Sequence, residues 1–497
     1  MKLFGRFLGG VALLVGAAGA GAGIALIPIA SSPAGAATTI NVTDAGDEAQ
    51  PATNCTPGEE TANCTLRAAL AEAATLSGAV TVSLPNSSGL TNGAPQYQVL
   101  TSYLVVTALN SSSSVTVAAA PSATPVIQAQ CIGVSCSVTS GVFEISSGTT
   151  ASITGVTIED GDNSTATVPG GDASGGGIWN NGGTLTLQDS TLTHNIANGG
   201  SGGGMWNNGT ATVTSSTFTN NSTGNGGGAI YNSGQLAVTG STFVGNSAGG
   251  VGGALNQFLA PPTSAMTLTN DILSDNTAGG DGGGVMIDSG TLTLSGGTIG
   301  GTGSTSPADL GNSTSGCGGG LAVEGGSATS SGVTYGGSNS TQGNTASSCG
   351  GGVYLDGGTN SLSNDTIAAN TATAGGNGGG MEIDAGTNQL NGETIGGPTS
   401  SDGNSVSNSG SSSSEAGGVD IQGGTNTFSG GTVSNNIATD SNGGAFFITG
   451  GTNTFDGLAV NGNAATWSGS VGAPNGDGGG FFIAFGTNTF TGGSISD

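Results

Sequence analysis

The chain is 497 residues long, with 101 Gly, 30 Asp or Glu, three Lys or Arg and one His, for a net charge of −27. So few cations exclude a protein that clusters Lys and Arg on nucleic-acid phosphates, and an acidic polysaccharide is repelled unless metal ions bridge it. The lack of a strict G-x-y period excludes collagen, and 34% hydrophobic residues in regular short runs argue for a packed core rather than disorder.

Residues 1–36 stand apart. Lys2 and Arg6 precede an apolar stretch from Phe7 to Ile29, and Ala34-Gly35-Ala36 fits a small-residue cleavage site. The segment reads as a secretory signal peptide, although its length also suits an uncleaved membrane anchor. No second apolar run of membrane length follows, so no transmembrane segment is expected in the mature chain. Losing Lys2 and Arg6 takes the net charge from −27 to −29 and leaves Arg67 and His194 as the remaining basic residues. Almost no trypsin-type cleavage sites survive, which suits a rod exposed outside the cell.

Residues 37–145 are expected to form an N-terminal cap and the first coils. Within NCTLRAALAEAATLSG, Leu66, Leu70 and Ala73 have helical spacing. A short amphipathic helix there would cover the open end of a stacked core, which otherwise invites end-to-end association. Arg67 is expected to serve this cap rather than catalysis. The six cysteines fall in pairs: Cys55 with Cys64, Cys131 with Cys136, and Cys317 with Cys349. Secretion makes disulfides the expected state; one His and no Cys-x-x-Cys leave little for a metal.

Residues 146–497 repeat. GGGIWNNGGTLTLQDSTLTHN at 175–195 returns as GGGMWNNGTATVTSSTFTNN at 202–221, and eleven such units follow one another at steps of 24 to 38 residues. A period of this size signals a solenoid or a propeller, and most units are too short for a four-stranded blade. Each unit reads as three short strands that cannot bury their apolar side alone but can when stacked. The expected fold is all-β: a parallel β-helix of about eleven or more coils, with a short N-terminal capping helix and a rise of about 4.8 Å per coil. Glycines recur at one sharp corner. An Asn stands three residues after an apolar one at Asn195, Asn221, Asn246, Asn276, Asn370, Asn436 and Asn463, and the pattern T-φ-x-x-N predicts a ladder of stacked amides. Cys317 and Cys349 hold the same position in successive units, so a staple between neighbouring coils is expected. The chain stops at GGSISD in mid-coil, which reads as a fragment or as a coil covered by a partner.

Cys64-Thr65-Leu66-Arg67 and the segment 38–76 around it resemble the bacterial CSLREA domain, with Ala68 where that family has Glu. The GGGI[WY]N…TLT…ST[LF]…N units resemble the right-handed parallel β-helix repeats of polymorphic outer-membrane proteins and similar bacterial surface proteins of pectin-lyase-like architecture. The resemblance implies a right-handed coil and a secreted or surface-bound bacterial protein. Its architecture hosts both enzymes and adhesins, so it does not choose between them.

Sugar lyases of this architecture use an Arg or Lys base with calcium, and Arg67 in the cap is poorly placed for that. A glycoside hydrolase needs two positioned carboxylates. A Ser-His-Asp triad would have to use His194, which reads as a surface residue between strands. Aligned on its closing glycine, the first strand of each unit ends in Asn180, Asn207, Asn232, Asn256, Asp288, Glu324, Asp356, Asp384, Gln422 and Thr449. The residues before them run from Trp179, Trp206 and Tyr231 to Ile421 and Ile448. Parity then turns the apolar row inward and the polar row outward. Asp288, Glu324, Asp356 and Asp384 form one outward acidic column, joined by Glu382 and Asp420. Stacked like charges repel, and calcium accepts oxygen ligands at such spacing, so this column is the candidate calcium site; a solvated acidic face is the plainer reading. The aromatic stack of Trp179, Trp206 and Tyr231 is expected to fill core; it becomes a sugar platform only with the opposite parity. The expected function is that of a structural or adhesive surface protein without catalysis. Its partners would be carbohydrate or cell-surface molecules, and calcium is the one cofactor considered. A polysaccharide hydrolase is the rival.

Overall fold

The computed structural model describes residues 37–47, 55–59, 63–87, 96–100, 102–129, 140–164, 174–258, 263–302, 310–373, 376–407, 415–467 and 476–496. The expected signal peptide lies outside them. The described strands form three long parallel sheets of 26, 14 and 10 strands, the stacked arrangement of a parallel β-helix. No helix among these residues is long and apolar enough to cross a membrane.

One coil illustrates the unit. Met205–Asn207 and Thr210–Thr214 lie in the largest sheet, Thr217–Thr219 in the second, and Ser222–Thr223 in the third. The sequence suggests three strands; the fourth, two residues long, is too short for alternation to reveal. Met205 pairs with Ile178 below and Ile230 above, and this column continues upstream through Phe143 to Leu104. The coils therefore begin before the first unit that the glycine clusters mark. Leu185, Leu187, Leu192, Val213 and Phe218 point into one continuous core, as the alternation of TLTL requires.

The glycine triplet meets two separate needs. Gly202 has φ +69°, and a Cβ there would sit 2.2 Å from the carbonyl oxygen of Met205. A Cβ on Gly203 would meet the carbonyl oxygen of Ser222 at 2.4 Å. The first position thus needs a left-handed turn, the second the close passage of neighbouring backbone. At the third, Ala229, Ala254 and Ala445 replace glycine in their coils.

The amide ladder is longer than T-φ-x-x-N predicts. Asn195, Asn221, Asn246, Asn276, Asn312, Asn344, Asn370, Asn404, Asn436 and Asn463 each donate Nδ2–H to the Oδ1 of the next, at 2.8–3.0 Å. Each Oδ1 from Asn221 onward also accepts the backbone N–H of the Asn below, at 2.9–3.1 Å. The sharp corner would otherwise strand these backbone groups away from water.

Helix α1 (Leu66–Ala73) forms as its spacing predicts. Thr65 caps it, its hydroxyl accepting the N–H of Ala68 at 3.2 Å, while Leu66, Ala69, Leu70 and Ala73 are buried. Arg67 ties the helix to the strands. Its Nε and Nη2 donate to the two oxygens of buried Asp47 at 2.6 and 2.9 Å, and its Nη1 and Nη2 reach the carbonyls of Tyr103 and Ser102. Arg67→Ala removes the cation facing the Asp47 carboxylate, which keeps the backbone N–H of Leu100 at 2.6 Å, and is expected to cost about 3 kcal/mol, with Arg67→Lys recovering only part, because an ammonium cannot make the two-pronged contact. Urea unfolding of both variants checks this; an unchanged midpoint for Arg67→Ala would refute it.

Disulfides join Cys55 to Cys64 and Cys317 to Cys349, with Cα–Cα distances of 5.0 and 4.4 Å. The second is the expected staple between coils, since Cys317 and Cys349 also pair as a parallel bridge. The third expected disulfide, between Cys131 and Cys136, is not among those the structure describes. Both Cys131 and Cys136 fall in 130–139, outside the described residues.

Candidate functional site

Register along the first strand is set by the glycines that open it, because their backbone groups bond from coil to coil. The closing turn varies in length, so alignment on the closing glycine misassigns parity. Trp179 pairs with Trp206, Trp206 with Tyr231, and Tyr231 with Asn256; the same row then runs through Met286, Ala322, Tyr354, Glu382, Asp420, Phe447 and Phe482. This row lies on the outer face of the strand, and Trp179, Trp206 and Tyr231 are half-buried there. The inward row instead holds Asn180, Asn207, Asn232 and Gln257, all fully buried, followed by Ile287, Val323, Leu355 and Ile383. The expected parity is therefore reversed for the first coils. The inward amides are tolerated because each Asn donates to the amide oxygen above: Asn180 to Asn207 at 2.6 Å, Asn207 to Asn232 at 2.7 Å, Asn232 to Gln257 at 3.0 Å.

The outward aromatics begin with Tyr103, whose ring centroid lies 5.9 Å from that of Trp179; Trp179 and Trp206 are again 5.9 Å apart, tilted by 38°. Two cavities open beside Trp206 and Tyr231. One, of about 360 Å³, is bounded by Trp206, Asn208, Asn225, Tyr231 and serines; the other, of about 310 Å³, by Tyr231, Asn256, Phe258, Val251 and Asn225. Tyr231, Asn225 and Ser201 line both, so the two are adjoining parts of one groove. The Tyr231 hydroxyl donates to the carbonyl of Phe258 at 3.1 Å, which fixes its ring at the groove wall. Asn256 is 1% exposed, and its Oδ1 accepts no hydrogen bond. Among the described residues lining the two cavities there is no Asp, Glu, His, Lys or Arg.

The acidic column is real but has two parts. Asp288 and Glu324 stand one residue beyond the strands Val285–Ile287 and Leu321–Val323, while Asp356 and Asp384 lie within the longer strands Val353–Ser363 and Met381–Asn391; all four are partly buried, in four successive coils. Burial raises the carboxyl pKa of Asp288 and Asp356, and burial together with Asp281, Asp288 and Asp356 pushes Glu324 up to about 7. Glu382 and Asp420 lie on the outer strand face and pair in register, yet each is only 1% exposed. Asn377 and Gln422 donate to Glu382 Oε1 at 3.1 and 2.6 Å, while Glu382 Oε2 and Asp420 Oδ1 find no partner. Burial, Asp420 and Asp384 push Glu382 up to about 10; burial, Glu415 and Asp384 hold Asp420 well above the usual carboxylate range. Tyr354 donates to Asp384 Oδ2 at 3.0 Å. Among the described residues no three His, Cys, Asp or Glu side chains are grouped so as to hold a metal ion, so calcium here would have to bridge pairs from neighbouring coils. Protonation relieves the same repulsion with no cation.

His194 is exposed at a corner with φ +54°, and Thr193 Oγ1 lies 2.9 Å from its Nδ1. Among the described residues no carboxylate is hydrogen-bonded to the His194 ring, although Glu159, paired with Thr193 in the neighbouring coil, feels its charge. A second amide ladder escapes the sequence reading: Asn360, Asn388, Asn426, Asn453 and Asn488 donate one to the next at 2.8–2.9 Å. Its signal is the recurring Gly-Thr-Asn of the later coils.

No protein-family model, curated protein or solved structure matches this chain.

Proposed function

We propose that the chain is a secreted or cell-surface β-helix protein of the CSLREA type, with a structural and adhesive role and no catalysis. The observation that carries this reading is the outward aromatic row at Trp179, Trp206 and Tyr231, whose last two members line a groove with no Asp, Glu, His, Lys or Arg among its described lining residues. Such a surface can hold a partner but cannot transfer a proton. Two disulfides suit an oxidising compartment. Glycans and other cell-surface molecules are the proposed partners.

The hydrolase reading has its own support. Glu382, held protonated beside Asp384 and Asp420, has the raised pKa of a proton donor. Its burial weighs against it, since a general acid must reach the leaving oxygen.

The test is attachment of the labelled purified chain to bacterial cells and matrix-coated surfaces, alongside incubation with plant and microbial polysaccharides. Retention on a surface without new reducing ends is expected. New reducing ends that vanish in Asp384→Asn would establish the hydrolase instead. Calcium along the acidic column belongs to the same proposal, and repeating attachment with calcium and with a chelator reads it.

A further inference from the structure

We infer that the groove between Trp206 and Tyr231 binds an uncharged polysaccharide lying along the axis of the rod. The inference rests on the adhesive reading above and names the ligand class of that surface.

Three features lead to it. Trp206 and Tyr231, which line the groove, come from successive coils and pair in register, so aromatic surface is repeated along the rod axis rather than gathered at one point. A repeated platform suits a repeating ligand whose units each present an apolar C–H face. Around the rings stand amides and hydroxyls, Asn208, Asn225, Ser201 and Ser233, which both donate and accept as sugar hydroxyls do. Asn256 Oδ1, in a side chain 1% exposed and lining the groove, has no donor of its own. Leaving such an acceptor empty costs stability, so it is an anchor for a ligand hydroxyl.

Charge selects among sugars. Neither cavity has a basic lining residue to meet a uronic acid or sulfate, and the net charge of −27 repels anionic chains. Among the described lining residues no carboxylate is present to hold an amino sugar; Asp288, outside both linings, accepts from Asn256 Nδ2 at 3.3 Å. A neutral chain remains.

The test is affinity electrophoresis of the purified full chain through gels holding a neutral glucan, a neutral mannan, a neutral xylan, polygalacturonate or chitosan. Retardation by at least one neutral polymer is expected. Trp206→Ala and Tyr231→Ala should each weaken it tenfold or more, while Tyr231→Phe retains most of it; thermal melts confirm that each variant is folded. Equal retardation of wild type and both alanine variants would overturn the groove assignment and leave the adhesive reading standing. Retardation only by polygalacturonate or chitosan, or by none of the five, would overturn the neutral-glycan assignment. If surface attachment fails as well, the adhesive reading falls with it.

Discussion

The melting temperature should rise as pH is lowered from 9 to 5, by on the order of 10 °C, the reverse of the usual response of a protein stabilised by ionised carboxylates. Buried carboxyls produce this. Burial moves Asp271 and Asp365 up to about 6 and, with Asp365 nearby, Glu393 up to about 8. Glu324 reaches about 7 and Glu382 about 10. A group whose folded pKa lies above its unfolded value binds its proton more tightly when folded. Stability from that proton is complete below the unfolded pKa and is lost as pH rises towards the folded one. The loss therefore starts near pH 4, passes through Asp271 and Asp365 at about 6, and continues through Glu393 at about 8. Self-repulsion of a chain carrying 30 acids and three Lys or Arg acts in the same direction.

The corner that holds these groups explains why acids are tolerated there. Asp271 accepts the backbone N–H of Ser241 at 2.7 Å, Asp365 that of Val333 at 2.8 Å, and Glu393 that of Asp365 at 2.9 Å. In earlier coils Ser216 and Ser241 do the same for Ser190 and Ser216. The acids replace serines as acceptors, but Asp365 Oδ2 and Glu393 Oε1 stay buried without partners. Glu393→Gln keeps an acceptor and removes the ionisation. It should raise stability at pH 9 by about 4 kcal/mol and leave pH 5 nearly unchanged. Thermal melts of both proteins across pH 4–9 decide the matter. A wild-type melting temperature that climbs with pH, or a variant curve parallel to the wild type, would show that these protons do not govern stability.

Asn276→Ala should be among the most damaging single substitutions in the rod. Asn276 is fully buried, and its Oδ1 accepts from both the backbone N–H and the Nδ2 of Asn246, at 3.0 and 2.9 Å. Its Nδ2 donates to the Phe243 carbonyl at 3.0 Å and to Asn312 at 2.8 Å. Alanine leaves two donors and two acceptors short at a corner closed to water. At about 1–3 kcal/mol for each orphaned group, partly relieved by relaxation, the cost should be about 4 kcal/mol or more. Asn276→Asp keeps the acceptor but turns a carboxylate towards the Phe243 carbonyl and the Asn312 amide oxygen, so it should also fail, and fail worse at high pH. Thr212→Ala, on an exposed strand position, should stay within about 0.5 kcal/mol. Because each coil contacts chiefly its neighbours, hydrogen exchange should quicken in the coils around Asn246 and Asn312 before it does so elsewhere. Uniform exchange along the rod, or a loss no larger than that of Thr212→Ala, would contradict a cooperative ladder.

The ladder also shows how far the residues could be read in order. Asn195, Asn221, Asn246 and Asn276 each stand three residues after an apolar one, and the structure joins them as expected. Asn312, Asn344 and Asn404 continue the ladder but have Asp309, Thr341 and Ser401, not an apolar residue, three positions earlier. Longer turns precede them, so only backbone pairing brings them into line. The aromatic groove was hidden for a related reason. One residue more or less in a closing turn exchanges the two faces of a strand, and that turn varies between Asn208-Gly209 and Asp288-Ser289-Gly290.

Composition, the glycine-marked period and strict alternation determined the parallel β-helix, its amide ladder, the capping helix at Leu66–Ala73 and the Cys317–Cys349 staple. These are properties of each repeat or of equivalent positions in neighbouring repeats, and stacking identical units leaves them one arrangement. Tertiary structure alone decided which side of the first strand faces water, and so that Trp179, Trp206 and Tyr231 face outward, the last two lining a groove, while Asn180, Asn207 and Asn232 are buried. It also decided that Glu382 and Asp420 are enclosed although they point outward. Both depend on register between coils and on what side chains such as Asn377 and Gln422 cover, quantities set by hydrogen bonding and packing across the stack rather than within any one repeat.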